Sequence, residues 1–322
     1  MSSTMLHVAN ERAEHTAEWL EHFVRAGYPE ATPLAAGMEG AVYRLGDETV
    51  AKVWRHRRSP EIILAQKFYA DIASHGLPFA TPVISDVYDV NGVTVSRERE
   101  LPGEPLQARL GIGDRVLGED AVNCVAIVLQ ALAGIPATDV MRQLPVLDEH
   151  RPFWSGAADF PSALAGLLRR KLVRYGGLLR AHVSDFDRRY ARILDRLAAI
   201  DWPAPSVVHG DLLGGNILVD DALRPLSVLD FGFLTTAGDP RFDSAITASV
   251  MNMYGPHAAA ITTALTERFA AERDCPVEVL VLYRAAYAVA TSNAFTSDGS
   301  DGHFAWCVKQ LNREELTHAL SL

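Results

Sequence analysis

The sequence predicts an α+β chain in two parts: a small antiparallel sheet at the N-terminus, then a larger, mainly helical region. Three observations lead there. Residues 32–54 and 81–99 read as strands broken by turn signals, Gly46-Asp47 and Asn91-Gly92. From Leu106 onward the apolar pattern is mostly helical. That helical region is interrupted by the run from Val207 to Phe233, VVHGDLLGGNILVDDALRPLSVLDFGF. There two strand-like stretches, Asn216–Val219 and Leu226–Leu229, flank a turn-forming segment from Asp220 to Pro225 and predict a hairpin.

Taken in order, residues 11–27 predict an amphipathic helix with Trp19, Leu20, Phe23 and Val24 as its apolar stripe and Gly27 as its stop. Residues 32–54 (TPLAAGMEGAVYRLGDETVAKVW) predict a strand pair entered through Gly37 and Gly40, with Lys52 and Val50 alternating onto one face. Ser59 is the expected N-cap, and Pro60 the first-turn residue, of a helix reaching about His75 and stopped by Gly76 and Pro78. Two further strands turn at Asn91-Gly92. Beyond them, helices are expected at about 121–132, 162–182, 184–200, 258–271, 276–291 and 304–320, with a polar loop over 293–302.

Forty acidic against thirty basic side chains give a formal charge of −10, which speaks against nucleic acid as a partner, because a phosphate backbone wants a basic face. Three cysteines, Cys124, Cys275 and Cys307, lie far apart in no metal spacing and predict free thiols of a reducing compartment. The N-terminus lacks the pattern of a signal peptide, and no apolar run reaches the roughly 18 residues of a membrane span. The expectation is a cytoplasmic protein with no membrane partner. Nothing in the sequence bears on its oligomeric state.

The chemistry that fits residues 207–233 is phosphoryl transfer. Its transition state carries dispersed negative charge; it calls for divalent metal on oxygen ligands and one carboxylate to orient and deprotonate the attacking hydroxyl. His209-Gly210-Asp211, Asn216 and Asp230-Phe231-Gly232 supply that inventory. Asp211 is the candidate base; Asn216 and Asp230 are the candidate metal ligands.

The blocks HGDLLGGNILVD, VLDFGF and GDPRFD (Gly238 to Asp243), in that order, resemble the aminoglycoside phosphotransferase family, kin to choline and macrolide kinases and a small-molecule branch of the protein-kinase fold. Leu101-Pro102-Gly103-Glu104-Pro105-Leu106 is similar to a family segment that follows the adenine-binding stretch. The resemblance implies a bilobal kinase-like fold, with residues 1–100 as nucleotide-binding lobe and 101–322 as catalytic and substrate-binding lobe. It implies ATP and Mg²⁺ as cofactors, with adenine held by backbone groups of residues 96–100. Val50-Ala51-Lys52-Val53 is similar to the kinase third strand, so Lys52 is expected on the α/β-phosphates beneath a glycine loop bearing Gly37 and Gly40. His209 is expected to buttress the catalytic loop and Asp243 to brace it. Asp239 braces the loop likewise, faces substrate, or serves only as a turn or N-cap residue. The family's helix glutamate, partner of the strand lysine, is absent near Ala65-Gln66-Lys67, and Glu61 lies a turn earlier.

The implied function is ATP-dependent phosphorylation of a hydroxyl on a small molecule: an antibiotic (aminoglycoside, macrolide or cyclic peptide), with resistance as the consequence. The alternatives are a choline- or sugar-like metabolite as acceptor, or a non-catalytic nucleotide-binding relative. A protein kinase fits less well: Gly210 and Leu213 stand where arginine and lysine belong, and no Ala-Pro-Glu follows Asp230-Phe231-Gly232.

Overall fold

The computed structural model describes residues 16–37, 39–46, 48–110 and 117–321. They divide into two compact units: the chain up to Ser74 with Thr81–Pro102, and His75–Ala80 with Gly103 onward. The fold is the expected α+β kind, an antiparallel sheet near the N-terminus and helices after it. No described helix is long and apolar enough to cross a membrane.

The first unit opens with helix α1 (residues 16–25); the remainder of the helix expected from residue 11 lies outside the described residues. Phe23 is fully buried against Tyr43, with Trp19 and Leu20 beside it, but Val24, expected in the same stripe, is 49% exposed. Five antiparallel strands follow: β1 (Thr32–Ala36), β2 (Gly40–Gly46), β3 (Thr49–Trp54), β4 (Ile84–Val90) and β5 (Val93–Arg99), in spatial order β1-β2-β3-β5-β4. The β4–β5 turn places Asn91 at φ 51° and Gly92 at φ 83°, the positive dihedrals this dipeptide favours.

Helix α2 (Ser59–Ala73) packs on β4 and β5. Its N-cap is Arg58, not Ser59. The Glu61 carboxylate accepts from the Arg58 backbone N–H at 2.9 Å, while the Ser59 hydroxyl turns to Asp89 at 2.8 Å. The carboxylate three residues on thus outcompetes the hydroxyl for the helix start.

In the second unit two small sheets carry the loops of interest. β6 (Glu104–Pro105), β8 (Ile217–Val219) and β9 (Pro225–Val228) form one, with β8–β9 the expected hairpin; β7 (Ser206–Val208) pairs antiparallel with β10 (Thr236–Gly238) in the other. Around them stand α3 (Leu106–Leu110), α4 (Glu119–Ala133), α5 (Asp139–Arg142), α6 (Phe160–His182), α7 (Phe186–Ala198), α8 (Pro240–Val250), α9 (Ala258–Glu272), α10 (Val277–Thr291), α11 (Gly302–Leu311) and α12 (Glu314–Ser321). α10 is the axis of this core, buried continuously from Leu280 to Thr291. The Tyr283 ring meets Phe160 and Phe242 edge-on at 6.1 and 5.6 Å. The single helix expected over 304–320 is two helices. Asn312 breaks it, its side chain accepting from the Ser184 N–H at 3.0 Å and donating to the His182 carbonyl at 3.2 Å.

Candidate active site

The segment from β7 to α8 is organised by two buried side chains. His209 is fully buried; its Nε2 donates to the Leu229 carbonyl at 2.8 Å and its Nδ1 accepts from the Asp211 N–H at 3.2 Å. A carbonyl only accepts, so these two bonds select the neutral Nε2–H tautomer. Burial holds the imidazole at about 4, against the pull of the Leu229 carbonyl and the Asp230 charge. His209 is therefore no proton shuttle at neutral pH. It ties the loop before β8 to the residue that follows β9, and Phe231 packs on its ring at 4.4 Å.

Asp243, expected to brace the catalytic loop, lies in the first turn of α8. Its two oxygens accept from the His209 and Gly210 backbone N–H groups at 2.6 and 2.7 Å. Burial pushes its carboxyl up to about 6, although those two bonds and nearby Arg273 favour the charged form. The Thr235 hydroxyl donates to the His209 carbonyl at 2.7 Å and closes the third side. Gly210 is required here: its φ is +78°, and a Cβ would lie 2.5 Å from the Leu234 backbone. That contact leaves no room for a side chain at this position.

These braces present the candidate residues. Asp211 is half-buried at the head of the loop. Burial, and after it the Asp211 charge, hold the Tyr287 phenol well above its ordinary range. Asn216 donates from Nδ2 to the Asp211 carbonyl at 2.9 Å and is joined through its backbone to Leu213 and Leu229. With Nδ2 committed to the loop, Oδ1 is the atom left to meet a cation. Asp230 is exposed and sits at φ 55°, a strained region for a residue with a side chain and one that recurs at functional positions. Among the described residues no cluster of three or more His, Cys, Asp or Glu could cage a metal. One carboxylate and one amide oxygen nevertheless fit Mg²⁺ carried by a nucleotide, because phosphate and water oxygens complete its shell.

Asp239 is corrected to a structural residue. Its carboxylate is fully buried, caps α8 through the Arg241 N–H at 2.9 Å, pairs with the Arg241 guanidinium at 2.6 Å and accepts from the Tyr283 hydroxyl at 2.7 Å. A carboxylate held by three donors inside the core does not face a substrate.

α10, α11 and the loop between them carry an aromatic group missed in the sequence. Tyr287 meets His303 and Trp306 edge-on at 6.3 and 6.0 Å, His303 stacks on Trp306 at 5.5 Å, and Phe295 lies 5.0 Å from His303. Phe295 is 50% exposed, and Tyr254, beside Gly302 at the start of α11, is 66% exposed.

In the first unit Lys52 reaches from β3, its Nζ 2.9 Å from Glu39 Oε2 and 4.0 Å from the centre of the Trp54 ring. Glu39 lies between Gly37 and Gly40 and was not singled out in the sequence, since only the β2–β3 register sets it against Lys52. Gly40 is pressed onto β3, where a Cβ would meet the Val53 carbonyl oxygen at 1.9 Å, whereas Gly37 has open space. Met38 is outside the described residues.

The sequence model of a phosphotransferase enzyme family, APH, matches residues 30–275. The chain belongs to this family. As a member of the APH family it is an ATP-dependent kinase that phosphorylates a hydroxyl group. No curated protein matches it in sequence. Among solved structures it is similar to a macrolide 2'-phosphotransferase from Brachybacterium faecium, at 18% identity and TM-score 0.55 over 92% of this chain and 98% of that one. It is also similar to aminoglycoside 2'-phosphotransferase-IIIa, solved with GDP, at 14% identity and TM-score 0.57 over 95% and 98%. An aminoglycoside phosphotransferase from Streptomyces rimosus, solved with ADP and streptomycin, matches at 16% identity and TM-score 0.51 over 84% and 97%. At these identities the likeness shows the fold of this APH-family member.

Proposed function

We propose that this phosphotransferase transfers the γ-phosphoryl group of ATP to a hydroxyl of an antibiotic that offers an apolar face, as a macrolide or a cyclic peptide does, and so confers resistance. The observation that carries the reading is the Asp211 loop, braced by His209 and Asp243, in a unit that also carries the aromatic group of Tyr287, His303, Trp306 and Phe295. Asp211 orients the acceptor hydroxyl and takes its proton. Asn216 and Asp230 are the residues that would hold Mg²⁺, which when bound neutralises charge on the phosphates. Lys52 meets the α/β-phosphates, and the loop of Gly37 and Gly40 brings backbone N–H groups toward them.

Both macrolide and aminoglycoside kinases occur among the similar structures, so the fold leaves the acceptor open. The exposed faces of Phe295 and Tyr254 favour a ligand with apolar surface over a polycation, which calls for unpaired carboxylates. The test is ADP release from Mg²⁺-ATP against a panel of macrolides, cyclic peptides, aminoglycosides, choline and sugars. Turnover is expected with the macrolide or peptide group. Turnover with aminoglycosides alone, or with choline or sugars alone, would overturn the acceptor assignment.

A further inference from the structure

Asp243 holds the Asp211 loop from a buried position, and its two donors are backbone N–H groups without net charge. A buried charge needs an opposite charge in reach. Arg273, at the C-terminus of α9, brings one. Its Nε donates to the Ser244 hydroxyl at 3.0 Å, its Nη2 to the Leu129 carbonyl at 2.8 Å and its Nη1 to Gln130 Oε1 at 3.3 Å. These acceptors are neutral, so the bonds fix the guanidinium without cancelling its charge. Ser244 follows Asp243 directly in α8, and the first bond therefore ties the guanidinium to the residue next to the brace.

We infer that Arg273 is a positioning residue of the transfer reaction: as the counter-charge of Asp243 it keeps the brace ionised, and Asp211 in place, at neutral pH. The inference rests on the reading of Asp211 as the residue that orients the acceptor. The ionised carboxylate is the form the loop needs, since each oxygen accepts one N–H, and a proton on either oxygen sets an O–H among donors. Burial drives Asp243 toward the neutral form, and Arg273 opposes it. Burial likewise pushes the Arg273 guanidinium down, with the Asp243 charge foremost among those that oppose it.

On the elements packed against α8, the other ionisable groups have partners of their own, stay neutral or lie toward solvent. Arg241 pairs with Asp239, Arg268 with Glu272 and Arg284 with Glu315. Burial keeps the Cys124 and Cys275 thiols and the Tyr283 and Tyr287 phenols protonated, and the His209 imidazole neutral. Glu119, Asp120 and Glu267 are exposed, and Glu278 is half-buried at the start of α10.

The test compares the full chain with Arg273→Gln and Arg273→Lys from about pH 5 to about pH 9, in urea titrations and in transfer from Mg²⁺-ATP to the acceptor found in the panel. Below about 6 the Asp243 carboxyl is neutral with or without Arg273; above it the native chain alone has the attraction. The gap between the urea midpoints of native chain and Arg273→Gln is therefore expected to be wide at alkaline pH and to narrow toward pH 5. The acid limb of kcat should move up by about one pH unit in Arg273→Gln, with little change in the KM for ATP. Arg273→Lys keeps the charge and should keep the native limb. In an Asp243→Asn background Arg273→Gln should give the same gap at every pH. A pH-independent gap in the native background overturns the pairing. A limb that stays in place in Arg273→Gln, or moves as far in Arg273→Lys, overturns the positioning role. If Arg273→Gln does not fold, Arg273→Lys decides alone: a native limb supports the role of the charge and a displaced one overturns it. Native-like transfer by Asp211→Asn would strike the reading of the loop and the positioning role with it; the midpoint gap, which needs no acceptor, tells that failure from a failure of the pair.

Discussion

A buried carboxylate that must stay charged needs donors, and Asp243 has two, the backbone N–H groups of His209 and Gly210. Asparagine in its place offers one oxygen and sets an NH₂ against the other N–H. Asp243→Asn is therefore expected to cost about 2 kcal/mol of stability, the desolvation penalty of an unmet buried group. It should also lower kcat by roughly 10²-fold through a misplaced Asp211, with little change in the KM for ATP. Denaturant titration and steady-state kinetics check both, and a variant as active and as stable as the native chain would contradict the bracing role. At this scale much was legible. His209, Asp211, Asn216 and Asp230 sit on short loops next to β7, β8 and β9, where sequence spacing nearly dictates spatial spacing. Glu39 was not legible, because its partner is set by strand register, nor was the burial of Asp239, which depends on Tyr283 forty-four positions away.

Helix α10 shows the corresponding limit at the scale of elements. Its apolar run predicts a buried helix, yet it carries Arg284, 2% exposed and paired with Glu315 at the start of α12. Arg313 meets the same carboxylate at 2.6 Å. Burial pushes the Arg284 guanidinium down to about 10, with the Glu315 charge pulling the other way. Glu315→Gln removes that charge and is expected to cost about 3 kcal/mol, read as a lower midpoint in urea. The double change Arg284→Met/Glu315→Leu should recover most of it, since a packed apolar pair needs no counter-charge. A single variant with an unchanged midpoint would show that water, not Glu315, balances Arg284. The hairpin of β8 and β9 was readable from its turn residues. β7 and β10 were not, at three residues each too short for any period, and the break at Asn312 answers to the turn between α6 and α7 rather than to its own helix.

Over the whole molecule, two buried histidines govern the acid limit of stability. Burial holds both His209 and His303 at about 4 in the folded chain, while the unfolded value is near 6.5. The unfolded state therefore binds more protons between these values, and stability falls as pH drops from 6.5 toward 4. Each histidine contributes about 2 kcal/mol of that loss by pH 5. Asp243 works the other way. Raised to about 6, it binds its proton more readily when folded and returns about 1 kcal/mol over the same interval. A net loss of about 3 kcal/mol from pH 7.5 to pH 5 is expected in urea titrations, and His303→Gln should flatten the profile by about two-thirds; a flat native profile would contradict it. Fold class was legible at this scale because strands and helices segregate along the chain, and the three motif blocks pointed to the family. The acceptor was not, since the aromatic side chains proposed to meet it are brought together by α10, α11 and two loops far apart in sequence. The most direct test of the central claim is single-turnover phosphoryl transfer from Mg²⁺-ATP to the acceptor found in the panel, native chain against Asp211→Asn. The account predicts a loss on the order of 10²- to 10⁴-fold in the variant with ATP affinity retained. Native-like transfer by Asp211→Asn would contradict it.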